Sequence, residues 1–123
     1  MSFLELAKKR YSCKRFKNTQ ITKEQLDYIL ECGRVAPTAK NVQPQRIHVI
    51  NTEEGLKKMD EVTICRYNAP TVLIVCFSNN GIYTYPGTNT NSGSEDASIV
   101  ATHMMLGAAD IGVDSCWLNR FNP

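Results

Sequence analysis

The segment over residues 94–111 constrains the fold of this chain most, because its sequence predicts a helix that is apolar on nearly every side. Small and apolar residues fill most of its positions, namely Ala97, Ile99, Val100, Ala101, Met104, Met105, Leu106, Ala108 and Ala109. A helix of this kind must be buried on several sides. We expect one side to pack inside the fold and another against a second copy of the chain; packing within a single chain is the alternative.

Capping signals predict where two further helices begin. Ser2 with Glu5, and Thr22 with Gln25, have the spacing of a capping box, in which the two residues satisfy each other's backbone N–H groups. The second of these helices is expected to direct four apolar side chains toward the core: Leu26, Ile29, Leu30 and Val35.

Hydrophobic patterns predict the strands. Residues 45–51 and 114–118 are expected to form strands, and residues 52–54 to begin a short helix. The β-branched run over residues 71–77 is typical of a strand buried on both faces. Together the elements predict one α+β domain over residues 1–123, with helices packed on a central sheet.

Composition narrows the class of protein. The chain is 42% hydrophobic and 21% charged, and no apolar run approaches the roughly 18 residues that cross a membrane. Its five cysteines are scattered, without a Cys-x-x-Cys pair, which favours reduced thiols in the cytoplasm over disulfides or a zinc site. His48 and His103 have neither metal-ligand spacing nor the partners of a hydrolytic triad; His103 is expected to be a packed or interface residue. We therefore expect no metal and no membrane association.

Positive charge is concentrated near the start of the chain. Residues 1–23 contain seven cations, Lys8, Lys9, Arg10, Lys14, Arg15, Lys17 and Lys23, against the single acid Glu5. Such a segment suits nucleic acid, a membrane surface or a phosphate-bearing cofactor. The chain lacks the interleaved aromatic and basic residues of nucleic-acid binders, so we expect no nucleic acid.

Two polar segments are the candidate binding loops. Residues 10–16, Arg-Tyr-Ser-Cys-Lys-Arg-Phe, place a hydroxyl between cations and suit an anion such as a phosphate. Residues 36–44, Ala-Pro-Thr-Ala-Lys-Asn-Val-Gln-Pro, form a tight polar turn whose Asn and Gln amides could bind the edge of a planar heterocycle. The long loop over residues 78–93, with Tyr83 and Tyr85, is either a functional lid or a surface excursion.

These segments resemble the FMN-dependent nitroreductase family. Its members open with a helix ending in Arg-x-Ser-x-Arg/Lys, continue to Ala-Pro-Ser/Thr-x-x-Asn-x-Gln-Pro, and end with a small-residue helix and Gly-hydrophobic-x-Ser-x-Trp. This chain has the four motifs in that order, at residues 10–14, 36–44, 96–110 and 112–117. The resemblance implies a three-layer α/β/α sandwich with a central mixed, mainly antiparallel sheet. It also implies an intertwined homodimer with FMN at the subunit interface.

The resemblance also implies roles for individual residues. Arg10, Tyr11 and Ser12 would contact the phosphate side of FMN, and Lys14 would stabilise the reduced flavin at its N1–C2 carbonyl edge. Pro37, Thr38, Ala39 and Asn41 would form the turn that reaches the other subunit's flavin, with Gln43 as a supporting contact. Trp117, Leu118, Asn119 and Arg120 would line the ring, the Asn119 amide facing N5. Lys14 and Asn119 would be the catalytic residues.

The implied activity is that of an NAD(P)H-dependent oxidoreductase. In a ping-pong reaction, NAD(P)H would pass a hydride to flavin N5, and a nitroaromatic, a quinone or a similar electron-poor acceptor would then be reduced. Family members generally continue for several dozen residues beyond the position of Pro123, adding a strand that crosses the dimer and a basic residue at the phosphate. The alternative is a degenerate, non-catalytic module that binds flavin or dimerises.

Overall fold

The computed structural model describes all residues 1–123. Its elements in chain order are helix α1 (Phe3–Lys9), helix α2 (Lys23–Arg34), a 3₁₀ turn (Ala39–Asn41), strand β1 (Gln45–Ile50), helix α3 (Glu53–Val62), strand β2 (Val72–Phe77) and helix α4 (Gly93–Asp110). Helices and an antiparallel sheet confirm the α+β class predicted from the sequence. None of the helices combines the length and hydrophobicity that crossing a bilayer requires.

The predicted capping boxes are present. Ser2 Oγ accepts from the N–H of Glu5, and the Glu5 carboxylate accepts from the N–H of Ser2. Thr22 and Gln25 form the same pair of bonds at the start of α2. Each box satisfies two backbone donors that the first turn of a helix leaves without partners, so the sequence alone fixes where these helices begin.

The sheet consists of β1 and β2. They pair antiparallel in a register that places Gln45 opposite Phe77 and Ile50 opposite Val72. Helix α4 contacts both strands and also packs along α2. The buried core lies between these elements and comprises Ile29, Ala36, Val100, Met104 and Ala108.

Two glycines allow α2 and α4 to approach each other closely. A Cβ atom added to Gly107 would lie 2.5 Å from the Sγ atom of Cys32, and one added to Gly33 would lie 2.9 Å from Met104 Cγ. A methyl group at either position would collide with a side chain of the facing helix unless that side chain moved. This contact buries one side of α4, as its apolar sequence requires.

Three expectations about burial and strands are wrong in detail. Val35 is 59% exposed, because α2 ends at Arg34 and Val35 lies beyond its core-facing side. Every residue of β2 is only partly buried, because α4 is the main element packed on a sheet of two strands. Residues 114–118 form no strand; only Ser115 pairs, in an isolated parallel bridge with Ser12.

The loop between β2 and α4 is folded back on itself. The N–H of Ser92 donates to the carbonyl of Tyr83, and Thr84 pairs with Asn91. The rings of Tyr83 and Tyr85 meet edge to face with centroids 5.2 Å apart, and the Tyr85 hydroxyl donates to Glu95. The loop is therefore anchored to the first turn of α4.

Candidate functional site

The segment that follows α1 is extended and presents alternate residues on opposite sides. Cys13 is buried and its N–H donates to the carbonyl of Ser115 at 2.9 Å, whereas Ser12 and Lys14 are exposed. Arg10 also has extended backbone angles. Because side chains alternate along an extended chain, Arg10, Ser12 and Lys14 lie on one face.

Tyr11 belongs to the other face. Its hydroxyl donates to Asp114 Oδ2 at 3.1 Å, and this bond raises the pKa of Tyr11. The side chain of Tyr11 is therefore bonded to the segment after α4, so the backbone of Tyr11 is the part left to contact a ligand. The predicted role of Tyr11 in binding remains a prediction.

The cations of this face have no acidic partners. All ion pairs of the chain lie between residues 23 and 66, on α2, α3 and the segment after α3. Arg10 and Lys14 are therefore free to bind an anion. A hydroxyl between two unpaired cations is a suitable donor set for a phosphate group.

The segment over residues 115–120 begins beside Ser12, with which Ser115 pairs in a parallel bridge. The indole Nε1–H of Trp117 donates to Asn119 Oδ1 at 3.0 Å, and the carbonyl of Arg120 accepts from Thr63 Oγ1 at 2.6 Å. The backbone N–H of Asn119 donates to no group of the chain. Trp117 and Arg120 are exposed and Leu118 is half-buried. The segment therefore offers the free N–H of Asn119 on a backbone that neighbouring hydrogen bonds hold in place.

The turn between α2 and β1 has an unusual backbone. Lys40, Asn41 and Gln43 have φ angles of 51°, 53° and 57°, in the left-handed region that residues other than glycine rarely adopt. The Thr38 hydroxyl accepts from the N–H of Gln43 at 3.0 Å and thereby closes the turn. Strain of this kind persists only where surrounding contacts hold it, and it is frequent at ligand sites.

Three side-chain amides form a directional chain within the turn. Gln45 Nε2 donates to Gln43 Oε1 at 2.9 Å, and Gln43 Nε2 donates to Asn41 Oδ1 at 2.6 Å. Because the Asn41 oxygen accepts from Gln43, Asn41 has only its Nδ2 donors left, and they lie at the exposed end of this row of amides. The turn therefore presents hydrogen-bond donors, which suit a carbonyl edge of a ligand.

The turn is tied to the start of α4 by a buried carboxylate. Asp96 is only 2% exposed, and its Oδ1 accepts from the N–H of Ala39 at 2.9 Å. Its Oδ2 accepts from Ser92 Oγ at 2.7 Å. Pro37 is exposed, and Thr38 and Ala39 are half-buried, so the turn lies at the surface above this anchor.

The two predicted clusters lie at opposite ends of α4. The turn is attached through Asp96 in the first turn of the helix, whereas Tyr11 and Cys13 are attached to residues that follow its last turn. The fourteen steps from Asp96 to Asp110 correspond to a rise of about 21 Å along the helix axis. Within one chain, backbone pairing joins the segment that carries Arg10, Ser12 and Lys14 to the segment after α4, whereas the turn is attached at the other end of this helix.

Some residues that support the site were missed from the sequence. Asp96 and Gln45 hold the turn, and Asp114 and Ser115 hold the cationic segment. An acidic residue in the first turn of a helix is ordinarily explained by the helix dipole, so Asp96 gave no local signal of another role. The others act through contacts between distant parts of the chain.

An apolar groove lies on the outer side of α4. Its volume is about 590 Å³, and it is lined by Phe3, Cys32, Val35, Ile99, His103 and Leu106, among others. Phe3 is 69% and Ile99 37% exposed, so large apolar side chains face solvent here. All five cysteines are free thiols, and no group of three or more His, Cys, Asp or Glu side chains is placed to bind a metal ion.

Comparison with known proteins assigns the chain to a family. Residues 7–70 match the model of the Nitroreductase family. Two relatives, from Archaeoglobus fulgidus and Methanothermobacter thermautotrophicus, both provisionally named NADH dehydrogenase/NAD(P)H nitroreductase, are 30% and 28% identical over 96% and 95% of this chain. The chain spans 67% and 60% of their lengths.

Solved structures agree with this assignment. A nitroreductase family protein from Clostridium difficile 630 superposes with a TM-score of 0.96 at 41% identity, over 100% of this chain and 71% of that one. A nitroreductase with bound FMN from Bacteroides fragilis shares the fold, with a TM-score of 0.82 at 24% identity, over 98% of this chain and 71% of its own. The chain belongs to the nitroreductase family, as its motifs predicted.

Proposed function

We propose that this chain binds FMN between two copies of itself and acts as an oxidoreductase with NAD(P)H as the electron donor. The observation that carries the proposal is the set of unpaired cations, Arg10 and Lys14, on one face with the Ser12 hydroxyl between them. A phosphate dianion needs charge and hydrogen-bond donors of this kind.

The remaining donors also fit the cofactor. The free N–H of Asn119 and the Nδ2 of Asn41 are donors, as the nitrogen and carbonyl acceptors of an isoalloxazine ring require. Arg10 and Ser12 would hold the phosphate, and Lys14 would stabilise negative charge on the reduced ring. Bound FMN would supply the two-electron carrier between NAD(P)H and an electron-poor acceptor such as a nitroaromatic or a quinone.

Two copies of the chain are needed for a complete site. The cationic segment and the Asn41 turn are attached at opposite ends of α4, and the helix rises about 21 Å between Asp96 and Asp110. Two copies with their α4 helices antiparallel would bring the cationic segment of one beside the turn of its partner. The exposed apolar groove along α4, which includes Phe3, Ile99 and His103, is the surface proposed for this contact.

The test is the visible absorption spectrum of the purified protein, recorded before and after addition of NADH without oxygen. A flavin band that bleaches on addition of NADH is the expected result. A colourless protein that also takes up no added FMN would refute the proposal. Sedimentation of the flavin-loaded protein at the mass of two chains is the expected result for the subunit arrangement.

A further inference from the structure

Asp96 is a buried carboxylate without a cationic partner. It is 2% exposed, and none of the ion pairs of the chain includes it. Burying a carboxylate is costly unless hydrogen bonds compensate for the lost water. Here Oδ1 accepts from the N–H of Ala39, Oδ2 accepts from Ser92 Oγ, and the first turn of α4 supplies the positive end of the helix dipole.

The group that Asp96 binds is the first residue of the strained turn. Ala39 is followed directly by Lys40 and Asn41, both in the left-handed region. The other side-chain bonds that shape this turn come from nearby residues, namely Thr38, Gln43, Gln45 and Arg46. The bond between Ala39 and Asp96 links positions 57 apart in the sequence and joins the turn to the longest helix of the fold.

We infer that Asp96 is a positioning residue for ligand binding, acting through the Ala39 N–H to hold Asn41 in the conformation that presents its Nδ2 donors. The inference rests on the proposed function, in which that donor contacts FMN. The buried Asp96 side chain would act through the turn and would not itself contact FMN. Its neighbour Glu95 is exposed and bonds only to the Tyr85 hydroxyl, so Glu95 has no part in this arrangement.

Substitutions at Asp96 distinguish the effect of its negative charge from the effect of its hydrogen bonds. Asp96→Asn keeps an oxygen that can accept from the N–H of Ala39, while its amide can donate to the Ser92 hydroxyl, so it should bind FMN nearly as the wild type does. Asp96→Ala removes the acceptor and should weaken FMN binding about tenfold, the loss expected for one charge-assisted hydrogen bond. Glu95→Gln is the matched control, since it removes the adjacent charge and keeps the acceptor for Tyr85.

The experiment measures two quantities for each variant. The first is the hydrogen-exchange rate of the Ala39 and Val100 amides in the FMN-free protein; the second is the FMN dissociation constant from quenching of flavin fluorescence. The expected result for Asp96→Ala is faster exchange at Ala39 with little change at Val100, which reports on the buried centre of α4. Weaker FMN binding should accompany it, with both effects largely rescued in Asp96→Asn.

Each outcome is decisive. Faster exchange at Ala39 with an unchanged FMN dissociation constant would overturn the positioning role, as would unchanged exchange. If Asp96→Ala does not fold, Ser92→Ala replaces it. Loss of the bond to Oδ2 should likewise speed exchange of the Ala39 amide and raise the FMN dissociation constant. No change in either quantity would overturn the inference. A wild-type protein that binds no FMN would instead refute the proposed function.

Discussion

The hydroxyl of Tyr28 donates to Asp110 Oδ2 at 2.6 Å, joining the middle of α2 to the last residue of α4. The bond raises the pKa of Tyr28 to about 12 from its ordinary value of 10.0. The protonated phenol is the form that the fold stabilises. Its contribution to stability is therefore complete below pH 10 and is lost as the pH rises through about 12.

Tyr28→Phe should consequently reduce the alkaline loss of stability. We expect the variant to be less stable than the wild type at pH 8 and the difference between the two proteins to shrink between pH 10 and 12. Urea unfolding followed by circular dichroism at several pH values measures this difference, and other titrating groups cancel in the comparison. A constant difference across the range would show that the Tyr28 bond does not contribute.

The close approach of Gly107 to Cys32 gives a second prediction. Gly107→Ala places a methyl group 2.5 Å from the Cys32 Sγ atom. Overpacking of this kind costs about 1–3 kcal/mol, part of which is offset because alanine favours a helix over glycine by roughly 1 kcal/mol. We expect a net loss of stability, measured as the free energy of unfolding in urea.

Cys32→Ala is the matching second variant. It removes the Sγ atom, so Gly107→Ala should cost less in that background than in the wild type. Equal costs in the two backgrounds would contradict the contact between the helices as the cause.

Lys14→Ala tests the cationic face. Lys14 is exposed and unpaired, so its removal should leave stability nearly unchanged while weakening FMN binding about tenfold or more. Lys8→Ala is the control, because Lys8 is also exposed but lies in the last turn of α1. Fluorescence titration measures the FMN affinity of both variants. Equal affinities would show that Lys14 does not contact FMN.

Asn41→Asp tests the direction of the amide chain. Gln43 Nε2 donates to Asn41 Oδ1, and an aspartate would keep that acceptor while replacing the outward NH₂ group with a second oxygen. A carbonyl edge of the flavin would then face an acceptor, so Asn41→Asp should bind FMN more weakly than Asn41→Ala. The reverse order would show that Asn41 presents an acceptor to its ligand.

The subunit arrangement predicts complementation between two defective variants. In a mixed dimer of Lys14→Ala and Asn41→Ala chains, one site carries both substitutions and the other carries neither. Random pairing makes half of the dimers mixed, so about a quarter of all sites should be intact. Co-expression should therefore restore tight FMN binding to that fraction, measured as flavin retained after desalting, whereas no restoration would place both residues in a site within one chain.

The geometry of short segments explains why much of the fold was predictable. The capping boxes at Ser2 and Thr22 and the stop at Gly112, which has a φ angle of 77°, depend on neighbours within a few positions. The spacing of Arg10, Ser12 and Lys14 likewise places them on one face of any extended chain. Such features are decided by local stereochemistry and can be inferred from sequence.

Contacts between positions far apart in the sequence determined the features of the fold that could not be predicted. Residues 114–118 have the composition of a strand, yet only Ser115 pairs, because a strand requires a partner along its length and the segment at Ser12 supplies one bridge. Likewise, no sequence pattern indicated that Asp96 would be buried beneath Ala39, 57 positions away.

Residue patterns were enough to predict the helices, the strands over residues 45–51 and 71–77, the α+β class and the family. Packing of the elements placed the cationic face and the Asn41 turn at opposite ends of α4, with a buried carboxylate bonded to the turn. The physical reason is that propensity, capping and alternation act over a few residues. The position of one loop relative to another depends instead on how α2, α4 and the sheet pack together.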